Sequence, residues 1–248
     1  MNLGVKILTL NTWQERGPWQ KRWDIILKGL EEHSPDIAAF QEVFNRDWAK
    51  ELQVRSGYEH LIFPEEPGGE MLLSRFPPEE SECLTMKTKS PTEDYDRYAL
   101  YAKFSVAGRS THIFNTHLSW RLEEGDIRKR QVEELGHFIR AKAGREAAFV
   151  VGDFNAPPES LEIQKMMLES GFMDLFNVMH PKDPGLTWNN MNPFTVGSSV
   201  KMPDRRIDYI FVRGISMPKL QSAELVYTQP VEGLYASDHF GVLAAVDF

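Results

Sequence analysis

Residues 147–158, reading Ala-Ala-Phe-Val-Val-Gly-Asp-Phe-Asn-Ala-Pro-Pro, constrain the fold of this chain more than any other stretch. Five consecutive apolar residues bounded by glycine and proline describe a buried strand, which closes by presenting Asp153 and Asn155 at the rim of a sheet. Strand side chains alternate faces, so Asp153 and Asn155 are expected to point together while Phe154 enters packing. A carboxylate placed there can orient or deprotonate a water, and an amide can donate to a developing oxyanion. The same residues also suit a plain strand-to-turn corner, so the rest of the chain decides between the two.

Three further apolar runs repeat the pattern. The alternating run 5–11 ends on Asn11, the run 36–42 ends on Gln41 and Glu42, and the run 111–118 contains Asn115-Thr116-His117. Between them, Trp19, Trp23, Ile26, Leu27 and Leu30 recur at helical spacing and predict a sheet-packed helix that stops near Ser34-Pro35. Further helices are expected over 46–56, 123–142 and 160–170. Further strands are expected over 58–63, 70–74, 82–87, 97–106, 206–212, 223–228 and 240–246. The runs 97–106 and 111–118 flank Ala107-Gly108-Arg109 as a hairpin. With no internal repeat, low-complexity tract or linker in 248 residues, one domain over 1–248 is expected.

Composition narrows the function classes. The chain carries a net charge of -8, with a pI near 5.4, which argues against a broad surface for gripping duplex phosphates. Cys83 is the only cysteine, so neither an internal disulfide nor a cysteine-rich metal site is available. The N-terminus lacks a long apolar run, which predicts no signal peptide or membrane span and favours a cytoplasmic location. Oligomeric state is not legible. The polar groups at the strand ends (Asn11, Glu42, His117, Asp153, Asn155, Asp208, Asp238 and His239) are oxygen-rich with histidine and lack cysteine, the chemistry that a hard cation such as Mg²⁺ or Mn²⁺ requires.

Taken in order, Asn11, Gln41-Glu42, Asn115-Thr116-His117-Leu118, Gly152-Asp153-Phe154-Asn155, Arg206-Ile207-Asp208-Tyr209-Ile210 and Ser237-Asp238-His239 closely resemble the endonuclease/exonuclease/phosphatase superfamily, also called deoxyribonuclease I-like. The resemblance spans nearly the whole chain. It implies an α/β fold, a four-layer sandwich of two stacked, mainly antiparallel β-sheets flanked by helices, with the active site at one edge of the sandwich.

Carried over residue by residue, the resemblance makes Glu42 the main metal ligand, with Asn11 and Asp238 beside it, for Mg²⁺ or Mn²⁺. It makes Asp153 the group that orients or deprotonates the attacking water, with Asn155 steadying water and phosphate. His239 would hold a phosphoryl oxygen, positioned by Asp208, or act as the base. His117 would be a second phosphate contact or assist the leaving group, and Arg97 a further phosphate contact. One departure from the apurinic endonucleases is Trp13, which replaces an acidic residue and weakens a second metal position. Trp13, Trp120 and Trp188 stand near the site motifs and are expected either to pack under loops or to wall a substrate pocket. The expected activity is metal-dependent hydrolysis of a phosphate ester on a small or single-stranded substrate. The alternatives are a duplex DNA or RNA endonuclease, a sphingomyelinase-like phospholipid phosphodiesterase, and a non-catalytic binding protein on the same fold.

Overall fold

The structure, a computed structural model, describes residues 4–65, 68–197 and 202–248. In chain order the strands are β1 (Gly4–Asn11), β2 (Ile37–Val43), β3 (His60–Ile62), β4 (Gly69–Ser74), β5 (Pro78–Thr85), β6 (Tyr98–Val106), β7 (Arg109–His117), β8 (Ala148–Asp153), β9 (Met173–Asp174), β10 (Asp208–Arg213), β11 (Leu220–Val226) and β12 (Gly241–Asp247). The α-helices are α1 (Trp19–His33), α2 (Arg46–Ser56), α3 (Gly125–Ala143), α4 (Leu161–Leu168) and α5 (Leu175–Met179). Two six-stranded sheets form, in the orders β11-β12-β1-β2-β4-β3 and β5-β6-β7-β8-β10-β9. Each contains one parallel pair, β1 with β2 and β7 with β8, and is otherwise antiparallel.

Strand alternation divides the apolar residues among three layers. Ile7, Ala39, Leu72 and Val242 of the first sheet meet Leu100, Ile113, Val151 and Ile210 of the second, forming the core between the sheets. The opposite faces are covered by helices. Leu8, Leu10 and Phe40 pack under α1 and α2 through Trp23, Ile26 and Leu52. Phe114, Val150 and Tyr209 pack under α3 and α4 through Leu135, Ile139 and Met166. The expected four-layer sandwich is therefore the observed one, and Phe154 lies buried in the outer layer as alternation required.

Local chemistry accounts for the sharper boundaries. Helix α1 stops where Ser34 adopts a left-handed conformation (φ 46) ahead of Pro35, and its N–H bonds to Leu30 O. Asn45 caps α2 by accepting from the N–H groups of Asp47 and Trp48, and Gly57 closes it at φ 73. The β6–β7 hairpin turns through Ala107 (φ 50) and Gly108 (φ 77), both left-handed as a two-residue hairpin turn demands. Edge strands depart from expectation. The strand expected over 82–87 lies at Pro78–Thr85, and the one over 58–63 shrinks to His60–Ile62, because edge strands carry no two-sided apolar signal.

Candidate active site

The inner faces of the strands supply most of the site. Along β1 the inner row runs Ile7, Thr9, Asn11; along β7, Ile113, Asn115, His117; along β8, Phe149, Val151, Asp153; and along β10, Asp208, Ile210, Val212. Each row is apolar in the core and polar at the same rim. Register then sets the neighbours, since Asp153 lies opposite His117 on one side and Asp208 on the other. Gly152 (φ +130) allows this close pairing, because a Cβ there would come within 2.0 Å of Thr116 O.

Glu42 reaches the rim differently. By alternation it would face away from Asn11's partners, but the β2–β4 ladder shifts register between Phe40 and Val43, and Glu42 takes φ 63. The resulting bulge re-aims its carboxylate, which sits 3.3 Å from Asn11 Nδ2. Beneath the rim, Gln41 Nε2 donates to Asn115 Oδ1 (2.7 Å) and Thr9 Oγ1 (3.0 Å), and Asn115 Nδ2 donates across to the carbonyls of Phe40 (2.8 Å) and Met71 (3.1 Å). This buried network ties the two sheets together directly under the site.

Asp153 is the hub. Its Oδ2 accepts from Asn11 Nδ2 at 3.0 Å and lies 3.4 Å from His117 Nε2 and 3.7 Å from His239 Nε2, while its Oδ1 accepts from Asn155 N at 2.8 Å. Asn155 has φ 51, so the chain has already turned there, and its Nδ2 donates to Leu118 O at 3.0 Å. Simple strand alternation therefore does not describe Asn155. Its side chain is placed by the turn that Asp153 caps. His239 Nδ1 pairs with Asp208 Oδ2 at 2.9 Å, leaving Nε2 turned toward Asp153. Ser237 Oγ donates to Asn11 O (2.6 Å) and lies 3.2 Å from Asp238 Oδ1, which anchors the Ser237-Asp238-His239 segment to the end of β1.

Crowded carboxylates shape the electrostatics. Burial, reinforced by the charge of Asp208, pushes Asp153 up to about 7, and burial with the charge of Glu42 does the same to Asp238. Burial works against the His239 imidazolium, yet the charges of Asp208 and Asp153 and the Asp208 hydrogen bond raise it to about 10. His117 is driven well below its ordinary value by burial and by the positive charges of Arg97 and His239, so it is neutral. The site thus holds one charged and one neutral histidine against the same carboxylate.

The residues fit a hard divalent cation. Asp153, Asp208 and His239 offer ligand atoms within 4.8 Å of one another, and Asp208 Oδ1 is buried without a hydrogen-bond partner among the described residues. His239 Nδ1 is engaged by Asp208 at 2.9 Å. Glu42 lies 3.3 Å from Asn11 Nδ2, and its charge helps to raise Asp238, so these groups form a second oxygen-bearing corner of the rim.

The remaining expected residues fall in distinct places. Arg97 is buried in a two-point ion pair with Glu93 (2.8 and 3.0 Å) and also donates to Tyr95 Oη (3.0 Å) and to His117 O (3.4 Å). Glu93 in turn accepts from Trp120 N and Ser119 Oγ, so this pair holds the segment 117–120 in place. Trp188 packs edge-on against His239 with ring centroids 5.1 Å apart. Trp120 joins it in a small apolar cluster with Met202 and Ile207, whereas Trp13 lies against Phe194 instead, at 4.6 Å.

Several contributors escaped sequence reasoning. Arg22 is fully buried and donates to the carbonyls of Thr12, Trp13, Gln14, Arg16 and Ala236, pinning the β1–α1 loop to the segment before Ser237. Its position on the apolar stripe, three residues after Trp19 and four before Ile26, was the available signal. Arg205 is buried, has no hydrogen-bond partner at Nε among the described residues, and pairs through its backbone with Trp188. Nothing in its local sequence distinguishes it from Arg206, which pairs with Asp174.

Known proteins place this geometry. A structure of truncated TDP2 from Caenorhabditis elegans superposes with a TM-score of 0.80 at 19% identity, covering 99% of this chain and 98% of that one. TDP2 of D. rerio, solved in complex with a single-strand DNA product, gives a TM-score of 0.81 at 18% identity over 99% of both chains. An endonuclease/exonuclease/phosphatase from Bacteroides vulgatus gives 0.80 at 21% identity over 99% of both. The uncharacterized protein F14F9.5 of Caenorhabditis elegans is 23% identical over 298 aligned residues, covering 99% of this chain and 92% of its own length. Residues 8–239 match the Endonuclease/Exonuclease/phosphatase family, and the chain therefore belongs to that family of divalent-metal-dependent phosphoric ester hydrolases.

Proposed function

We propose that this protein hydrolyses a phosphodiester or phosphomonoester carried by a small or single-stranded substrate. The observation that carries the reading is the convergence of Asn11, His117 and His239 on one buried carboxylate, Asp153, with Glu42 bonded to the same Asn11. Glu42, Asn11 and Asp238 would hold Mg²⁺ or Mn²⁺, which when bound supplies positive charge to the phosphoryl oxygens. Asp153, raised to about 7, titrates near neutrality as a group that accepts a proton from water does. His239 keeps Nδ1 on Asp208, so its Nε2–H is available to a phosphoryl oxygen. Neutral His117 stands on the other side of Asp153, where it can contact the phosphate or the departing oxygen. Asn155, fixed by Leu118 O, borders the same carboxylate.

Two observations bear on substrate class. The net charge of -8 disfavours duplex phosphates, and the D. rerio TDP2 complex contains a single-strand DNA product. The deciding experiment assays phosphomonoesters, phosphodiesters, single-stranded and duplex nucleic acids and phospholipids with Mg²⁺ and Mn²⁺, for the natural chain and for Glu42→Gln. Metal-dependent turnover of small or single-stranded esters that Glu42→Gln abolishes supports the reading. Tight, salt-dependent cleavage of duplex DNA, or equal turnover in excess chelator, overturns it.

A further inference from the structure

A cavity of about 460 Å³ opens where the first turns of α3 and α4 meet the segment that leads into β10, and Gly125, Ser160 and Arg205 each line it. Gly125 begins α3 and Ser160 is the N-cap of α4, and neither helix has a side-chain cap bond. Both helices therefore turn the positive ends of their dipoles toward the cavity with first-turn N–H groups that no side chain caps. Arg205 adds a full charge. It is 7% exposed, and its guanidinium makes no hydrogen bond or ion pair to any described residue. Its Nε is sealed in the wall, and the terminal nitrogens are the part that reaches the cavity. The other buried arginines, Arg22, Arg97, Arg128 and Arg206, are each held by carbonyls or a carboxylate. An uncompensated buried cation is costly, and an anion brought from outside removes that cost. Three carboxylates also line the cavity, and each is accounted for. Glu162 is taken by Arg128 at 2.7 Å, Asp204 Oδ1 accepts from Asn190 N at 2.8 Å, and Glu159 stands exposed at the mouth, where water screens it. The cavity also adjoins the rim. The backbone of Trp188 pairs with Arg205 on one side and His239 on the other, which sets those two residues two strand spacings apart, roughly 10 Å. Burial lowers Arg205, and the charges of Asp153 and Asp208 are near enough to oppose that shift.

We infer that this cavity is a subsite for a second anionic group of the substrate, a phosphate or carboxylate carried on one arm of the scissile ester and held by Arg205 and the uncapped start of α4. The inference rests on the proposed phosphate-ester site, because that site holds the other end of the same molecule. A guanidinium stays charged at any working pH and offers an oxyanion paired, directed N–H donors. A helix N-terminus adds backbone donors of the same sign. The separation from His239 lets one short linker join the two anions. Arg205 precedes the motif 206–210 and is no part of it, so the subsite adds to what the motif residues do.

Calorimetry tests this without turnover, using phosphonates, whose P–C bonds resist hydrolysis. Alkylphosphonates, α,ω-alkanebisphosphonates and ω-carboxyalkylphosphonates with linkers of two to eight carbons are titrated into the full chain at fixed free Mg²⁺. At the linker length that spans both groups, the two-headed ligand should bind about ten- to a hundredfold tighter than the one-headed ligand, the range for charge-assisted hydrogen bonds. That exceeds the twofold that symmetry alone gives a bisphosphonate. A gain in either two-headed series supports the subsite, and the larger gain identifies the anion. Arg205→Gln should remove the gain, and Arg205→Lys should restore part of it. Glu159→Gln, at an exposed position, should enlarge the gain roughly two- to fivefold, which a damaged fold cannot do. No gain at any linker length in the natural chain, or a gain untouched by Arg205→Gln, would overturn the subsite. So would free inorganic phosphate binding at Arg205 while no linked ligand gains, since the anion would then not be the substrate's. If the two-headed preference appears and depends on Arg205 but no ester is hydrolysed, the subsite stands and the hydrolase reading falls; hydrolysis without that preference does the reverse.

Discussion

Replacing Asp208 with asparagine isolates the charge that holds His239 in its imidazolium form. The two side chains are nearly isosteric, and Asp208 Oδ2 lies 2.9 Å from His239 Nδ1, so an asparagine carbonyl can keep the hydrogen bond while the charge is lost. Asp208 Oδ1 has no donor among the described residues, so the substitution breaks no second hydrogen bond, and an amide NH₂ left unpaired there would cost about 1–3 kcal/mol. Losing the carboxylate's desolvation offsets part of that cost, and the variant should fold. His239 stands at about 10 with Asp208 as its strongest supporting charge. Removing an opposite charge at such range lowers a pKa by roughly 1–3 units, which places the variant's histidine between about 7 and 9. At pH 7 both proteins remain largely protonated, whereas at pH 9 a histidine near 8 is roughly nine-tenths neutral. The kcat/KM of Asp208→Asn should therefore fall about tenfold further between pH 7 and 9 than that of the natural chain. The same raised pKa stabilises the fold: the contribution is complete below about 6.5, the unfolded value, and is lost as pH rises through about 10. Parallel pH–rate profiles for the two proteins, or an NMR titration of His239 unchanged by the substitution, would refute the reasoning.

Three other outcomes follow from the site. Asp153→Asn should lower kcat by about two to four powers of ten with a much smaller change in KM, measured by steady-state kinetics on the best ester; a pure KM effect would remove Asp153 from the proton-transfer role. Asp153 and Asp238 are raised from 3.8 to about 7 on folding, so their contribution to stability is complete below about 3.8 and is lost as pH rises from there through about 7. Added Mg²⁺ should accordingly raise Tm more at pH 8 than at pH 5.5, where the cation must displace protons, and Glu42→Gln should reduce the shift; equal shifts at both pH values would contradict this. Asn115→Leu strands Gln41 Nε2 with only Thr9 Oγ1 and removes both cross-sheet donors, and should cost about 2–4 kcal/mol in urea unfolding; an unchanged midpoint would show that the network does not hold the sheets.

How much of this was legible depended on the kind of signal. Central strands announce themselves by apolar runs, so β1, β2, β7 and β8 fell where expected, and α2 matched over its whole length because Asn45 and Gly57 mark both ends. The short elements β9 and α5 lie between the helix expected over 160–170 and the strand expected over 206–212, where no element was expected, since five residues or fewer carry no measurable period. The rim residues were legible as strand ends, but their relations were not. That Asp153 sits between His117 and Asp208 is a matter of register, and that Glu42 turns inward depends on a bulge. Buried arginines were the clearest failure. Arg22 reads as an exposed helix residue by type, and only five converging carbonyls reveal why it is inside.

Direct attack of water on phosphorus at the Asp153 centre is the central claim, and the stereochemistry of one turnover tests it most directly. A phosphorothioate diester of known configuration at phosphorus is hydrolysed in ¹⁸O-enriched water with Mg²⁺ or Mn²⁺, and the product's configuration and label are read by ³¹P NMR. A single in-line displacement predicts inversion, with the label on the phosphorothioate product and none on the alcohol. Retention of configuration, label on the alcohol, or undiminished turnover in excess chelator would contradict the account.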